Sequence, residues 1–202
     1  MPSGVHVPGV AGTPAPRPCA PRHGQLQSAI DRIAPTRRPE GPPQGHQRWR
    51  QLSFVHWRVP AAALRPLVPA PLAIDTFDGD AFVGIVPFTM RGVRPRWSPA
   101  VPACRASTRP TCAPTSTATA AIRTAAPGTL EHFLVERYLL YAQRHDGGLR
   151  RGQVHHPPYP LQDAELSDWD ESLLAAAGIA RPAGAPLVHF AAGVDVEVFG
   201  LI

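Results

Sequence analysis

The chain has 202 residues, room for one domain with a tail, and its formal charge of +5 rests on arginine alone, because it contains neither lysine nor asparagine. The charge sits in the least protein-like stretches, +4 on residues 1–48 and +3 on residues 98–128 against −2 elsewhere, so no folded basic face is expected and nucleic acid is excluded as a partner. Cys19, Cys104 and Cys112 lie in those same stretches and make neither a disulfide framework nor a metal knuckle. No apolar leader or run of about 18 apolar residues occurs, so the reading is a cytoplasmic chain with no membrane partner.

Residues 1–48, rich in Pro, Gly and Arg without sustained periodicity, read as a disordered extension, with order expected from about Trp49. In the run WRQLSFVHWRV, Leu52 and Phe54 alternate with Ser53 and Val55, the pattern of a half-buried strand. Pro60 then opens a short helix, PAAALRPL, at a first-turn position that tolerates proline. The run LAIDTF predicts a second strand, Asp78-Gly79 a hairpin turn, and AFVGIVPFTM a buried strand made irregular by Pro87.

Beyond residue 128, Thr129 is placed to cap a helical turn through Phe133. ERYLLYAQ and LRRGQVHH flank Asp146-Gly147-Gly148 as a hairpin, and Leu161 to Glu165 reads as a strand. Ser167 is expected to cap a helix over DWDESLLAAA that stops at Gly178, and the last run, PLVHFAAGVDVEVFGLI, alternates as a late strand. The sum is an α+β domain in which strands dominate and short helices cover them.

Absence of Lys and Asn, which have the A-richest codons, points to a GC-rich gene, and out-of-frame reading of such a gene yields Arg, Ala, Pro, Thr and Cys. Residues 104–123, CRASTRPTCAPTSTATAAIR, have that composition. Around them, W-x-x-L-S-F-x-H-W-R-V, A-L-R-P-L-V-P-A-P-L and D-T-F-D-G-D-A-F-V-G-I-V-P-F precede the stretch. T-L-E-H-F-L-V-E-R-Y-L-L-Y, V-H-H-P-P-Y-P-L-Q-D-A-E and H-F-A-A-G-V-D-V-E-V follow it. In order and spelling these blocks resemble the YqjF-like domain of unknown function, DUF2071. The resemblance covers residues 49–97 and 129–202 and implies a fold like that of acetoacetate decarboxylase, a curved β-barrel around a cavity, with no established reaction.

Two departures from that family stand out. Its E-x-N-x-R-T-Y-V motif and the long strands after it are missing between Trp97 and Thr129. Re-reading the codons from Cys104 with each new codon starting at the old third base, with one choice of free first bases, gives PGVHEANVRTYVDRDGRHP, which contains the motif. The reading is therefore a frameshift near Ala103 and loss of a central segment before about Gly128; an ordinary Thr/Ala/Pro linker is the other. A barrel that loses contiguous strands is left with open edges and marginal stability.

Acetoacetate decarboxylase works through a Schiff-base lysine, which a chain without lysine cannot supply. The cavity candidates are His56, Trp57, Arg65, Arg137, His155 and His156. His155 and His156 are neighbours, so on a strand only one can face a cavity. Arg137, if it faces inward, can hold a carboxylate in bidentate fashion, and if outward it is a solvated strand residue. Arg65 falls in the helical region that lines the cavity in the fold implied by the resemblance. Asp75, Asp78 and Asp80 imitate a calcium loop but lack its other ligands, and no metal or cofactor is expected.

The expected protein is thus an incomplete acetoacetate-decarboxylase-like β-barrel that binds a small organic molecule, its oligomeric state left open. Two alternatives remain: an enzyme without a Schiff base acting on a small carboxylate or aromatic metabolite, and a frameshifted gene product without function. Sequencing of the source gene between the codons for Pro99 and Thr129 is expected to show a base gained or lost near the codon for Ala103, with the E-x-N-x-R-T-Y-V codons beneath Arg109 to Thr115. A clean frame without that motif makes the stretch a true linker.

Overall fold

The structure is a computed structural model and describes residues 30–97, 115–167 and 171–200. Its axis is β1 (Gly45–Val59), an antiparallel strand of 15 residues that keeps a neighbour on both sides. On one side lies β8 (Leu187–Phe199), in register from Gly45 opposite Val198 to His56 opposite Leu187. On the other side β3 (Thr89–Pro95) covers the first half of β1 and β2 (Ala81–Ile85) the second. The far edge of β8 is shared by β6 (Leu149–His155) near Val198 and β7 (Leu161–Ser167) near Ala191. β5 (Leu139–Gln143) ends the sheet beside β6, and β4 (Thr115–Ala118) pairs with β7.

The order along the main path is β2-β1-β8-β6-β5, an open antiparallel sheet of an α+β domain. Among the described residues, short α-helices accompany it: α1 (Ala61–Leu64), α2 (Leu130–Val135) and α3 (Leu173–Ala176). No helix among the described residues is long and apolar enough to cross a membrane.

β1 is not half-buried. Residues 52–57 are buried without a break, because each face of the strand is covered. Leu52 and Phe54 pack with Phe133, Tyr159, Leu161 and Val196 on the face of α2. Val55 and Trp57 pack with Ile85 and Leu174 on the face of α3. Successive side chains of a strand point to opposite faces, so a strand sandwiched between two layers is apolar throughout.

Several expectations change. LAIDTF is not a strand; only Phe77 bridges Asp80, across a turn in which Asp78 and Gly79 take positive φ of 51° and 90°. The segment is held by Arg32, which bonds the Asp75 carboxylate and the Thr76 carbonyl. The strand expected over AFVGIVPFTM splits at Pro87, whose carbonyl accepts from Ser53 N at 3.1 Å. Ser167 belongs to β7, and α3 starts later, at Leu173; its first turn is capped by Glu171, which accepts from Leu174 N at 3.0 Å. Gly178, at φ 73°, follows α3 as anticipated.

Residues 30–48, assigned to the extension, are tied to the sheet. Arg38 grips Glu197 at 2.6 and 3.1 Å, and Gln153 donates to the Pro35 carbonyl at 2.8 Å. Residues 1–29, the three cysteines and most of the anomalous stretch lie outside the described residues. The later part of that stretch supplies β4 and Arg123, which bonds Asp163 at 2.6 and 3.1 Å.

Gly193 of β8 lies opposite Arg50 of β1. A Cβ there would sit 2.4 Å from the Trp49 carbonyl oxygen, and backbone cannot yield as a side-chain tip does. Gly193→Ala is expected to lower stability by about 2 kcal/mol or more in chemical denaturation. Gly184→Ala, with open space around its Cβ, is expected to change it by less than about 0.5 kcal/mol.

Candidate functional site

On the α2 face of the sheet lies a cavity of about 440 Å³. Its floor is β1, through Trp49, Leu52, Phe54 and His56. One wall comes from β2 and the Pro87 kink, through Phe82, Gly84, Val86 and Phe88; the other comes from α2 and the residues after it. Phe82, Gly84, Val86 and Phe88 are spaced by two, so alternation places them on one face, and the break at Pro87 leaves that order intact. Thr129 accepts from His132 N at 3.3 Å and starts α2, as its sequence position predicts.

The lining is aromatic and apolar apart from a few polar groups. His56 is buried, and its Nδ1 has no hydrogen-bond partner. The imidazole fits because Gly84 lies opposite it; a Cβ on Gly84 would come within 2.5 Å of the ring. Burial above all, and then the positive field of His189 and Arg137, pushes its pKa down to about 4, so His56 is neutral at pH 7.

Arg137 stands at the rim, its guanidinium 4.1 Å from the Phe133 ring centroid. Arg32 lies over the same ring at 5.2 Å, and Asp75 bonds both arginines, at 2.6 Å to Arg32 and 3.2 Å to Arg137. Burial alone would raise the Asp75 carboxyl; the two guanidiniums outweigh it and hold the group below its ordinary value. Two cations share one carboxylate, so the rim carries an excess positive charge. Asp75 is the only acid bonded to Arg137 among the described residues, which leaves guanidinium donors over for a ligand.

Behind the wall, Glu136 is buried and accepts from Tyr138 OH at 2.6 Å and from Tyr159 N at 3.1 Å. This pins Tyr159 against the cavity. Burial raises the Tyr138 and Tyr159 hydroxyls above their ordinary value, with the Glu136 carboxylate adding to it.

Of the six residues marked in the sequence, His56 and Arg137 meet in the cavity and the others do not. Trp57, one residue on, faces α3 in the second core cluster. Arg65 is exposed and ties its own loop by donating to the carbonyls of Val68, Pro69 and Leu72 at 2.5 to 2.9 Å. His156 is buried behind the lining, its ring 4.4 Å from those of Tyr138 and Tyr159, and bonds the Pro157 carbonyl. His155, at the end of β6, has its ring 6.4 Å from Tyr138. Phe133 and Tyr159 carry no signal in the sequence that marks them as site residues, and Asp75 was read there only as part of an incomplete calcium loop. No group of three metal-ligating side chains occurs among the described residues.

The model of the DUF2071 family, described as an uncharacterized conserved protein, matches residues 46–109 and 105–195. The chain belongs to this family. It is also similar to the uncharacterized protein YqjF of Bacillus subtilis (strain 168), 26% identical over 222 residues, covering 74% of this chain and 88% of the relative. Those 222 aligned positions exceed the share of the 202-residue chain they cover, so the relative carries residues with no counterpart here. No solved structure matches the chain. The family has no assigned reaction.

His56 gives the site a pH signature. Its folded pKa of about 4 lies below the 6.5 of a free histidine, so the unfolded chain takes up the proton first on acidification. Stability contributed by neutral His56 is therefore full above pH 6.5 and is lost as pH falls from there toward 4, by about 3 kcal/mol. Burial lowers His156 and His189 too, and adds loss of the same sign. Urea titrations from pH 7 to 4.5 are expected to show this fall, with a shallower slope in His56→Gln.

Proposed function

We propose that the cavity binds a small organic acid with an apolar or aromatic body. Arg137 receives the carboxylate and the aromatic walls enclose the rest. The observation that carries this reading is the incompletely neutralised Arg137 at the mouth of a cavity lined mainly by apolar and aromatic side chains. The chain has no lysine, so it cannot itself carry a Schiff base. Absence of cysteine from the described residues suits a protein of the reducing cytoplasm, where we place it.

The sheet is read as part of an acetoacetate-decarboxylase-like barrel whose central strands this chain has lost. What supports that is the break of the family match at residues 105–109 and the additional residues in the aligned relative. A second reading, an enzyme on the same acid, is favoured by the buried nitrogen of His56, beside the cavity, that lacks a hydrogen-bond partner.

Thermal denaturation with benzoate, phenylacetate and benzyl alcohol tests the binding. The two carboxylates are expected to stabilise the chain, by about 2.7 kcal/mol at a hundredfold excess over Kd, and the alcohol not to. Arg137→Gln is expected to remove the difference. Equal shifts with the alcohol, or none with any compound, count against an acid site.

A further inference from the structure

The sheet ends at β5, whose sequence Leu139–Gln143 reads LLYAQ. It carries no charge and no proline, the devices by which edge strands are normally kept from pairing. Among the described residues it pairs with β6 alone, and Leu140 and Tyr141 are 64% and 46% exposed. By contrast, Arg150 and Arg151 lie on β6, one strand further in.

Two hydrogen bonds fix which way the backbone of β5 faces. Val154 N donates to the Tyr138 carbonyl at 2.9 Å, and Arg144 N donates to the Gly148 carbonyl at 2.8 Å. Tyr138 and Arg144 thus bond toward β6. Facing alternates along an antiparallel strand, so Leu140 and Ala142 do the same, while Leu139, Tyr141 and Gln143 direct N–H and C=O to the open edge.

We propose that β5 pairs antiparallel with β5 of a second copy of this chain, about a twofold axis through Tyr141. In that register Tyr141 meets Tyr141 and Leu139 meets Gln143, so every outward N–H of each strand reaches an outward C=O of the other. The match exists because the outward set is symmetric about its middle member. Leu140 then lies opposite Ala142, and no charged pair is forced together. The result is an isologous interface that extends the sheet across both copies. The relative similar to this chain carries residues this chain lacks, so fewer segments are at hand here to cover the edge.

Sedimentation velocity on the full chain over a wide dilution series is expected to show a monomer–dimer equilibrium. Leu140→Lys, at an exposed position, is expected to weaken dimerisation by about tenfold or more. Tyr141→Pro removes an outward N–H and none that bonds β6, and is expected to weaken it likewise. Leu173→Lys, an exposed apolar position on α3, is expected to leave it unchanged. A monomer at all concentrations overturns the proposal. So does an association that both β5 variants leave intact, whether dimeric or larger.

Discussion

Everything described here hangs on the ladder between β1 and β8, which runs unshifted from Gly45 opposite Val198 to His56 opposite Leu187. It joins the first strand of the domain to the last. Such a contact closes a long loop before it gains anything, so it depends on apolar burial for its stability. That burial comes from both sides: Leu52 and Phe54 face α2, Val55 and Trp57 face α3. A strand buttressed on two faces cannot slip by one residue without reversing both sets, which is why the position of His56 is well determined.

The polar groups of the cavity follow from the same ladder. His56 is carried inward because it shares a face with Leu52 and Phe54. Its neutrality follows from burial and from the cations nearby. Arg137 reaches the rim because Glu136, the residue before it, is anchored inward by Tyr138 and Tyr159. Alternation along a short stretch of chain separates a buried carboxylate from a cation at the opening. Phe133, flanked by two guanidiniums, separates that charge from the apolar interior.

Much of the strand plan was legible because it rests on local signals. The Asp78-Gly79 turn, the hairpin around Gly147, the Thr129 cap and the alternation of Val194, Val196 and Val198 all appear where expected. Errors arose where tertiary contacts decide. LAIDTF looks like a strand by composition, but Asp75 is engaged by two arginines far away in sequence. Ser167 looks like a cap, but its backbone belongs to β7. In the site, residue types were enough to mark His56 and Arg137. They were not enough to separate them from Trp57 or His156, because one step along a strand reverses the side on which a residue lies.

The strap formed by residues 30–44 contributes no wall to the cavity, yet it supplies Arg32. A protein trimmed to begin at Gly45 would keep β1 and the lining residues and lose one of the two cations on Asp75. The remaining pair, Asp75 with Arg137, would be electrically balanced, and the rim would lose its excess positive charge. The charge balance at this opening thus depends on a peripheral segment that forms none of the cavity's lining.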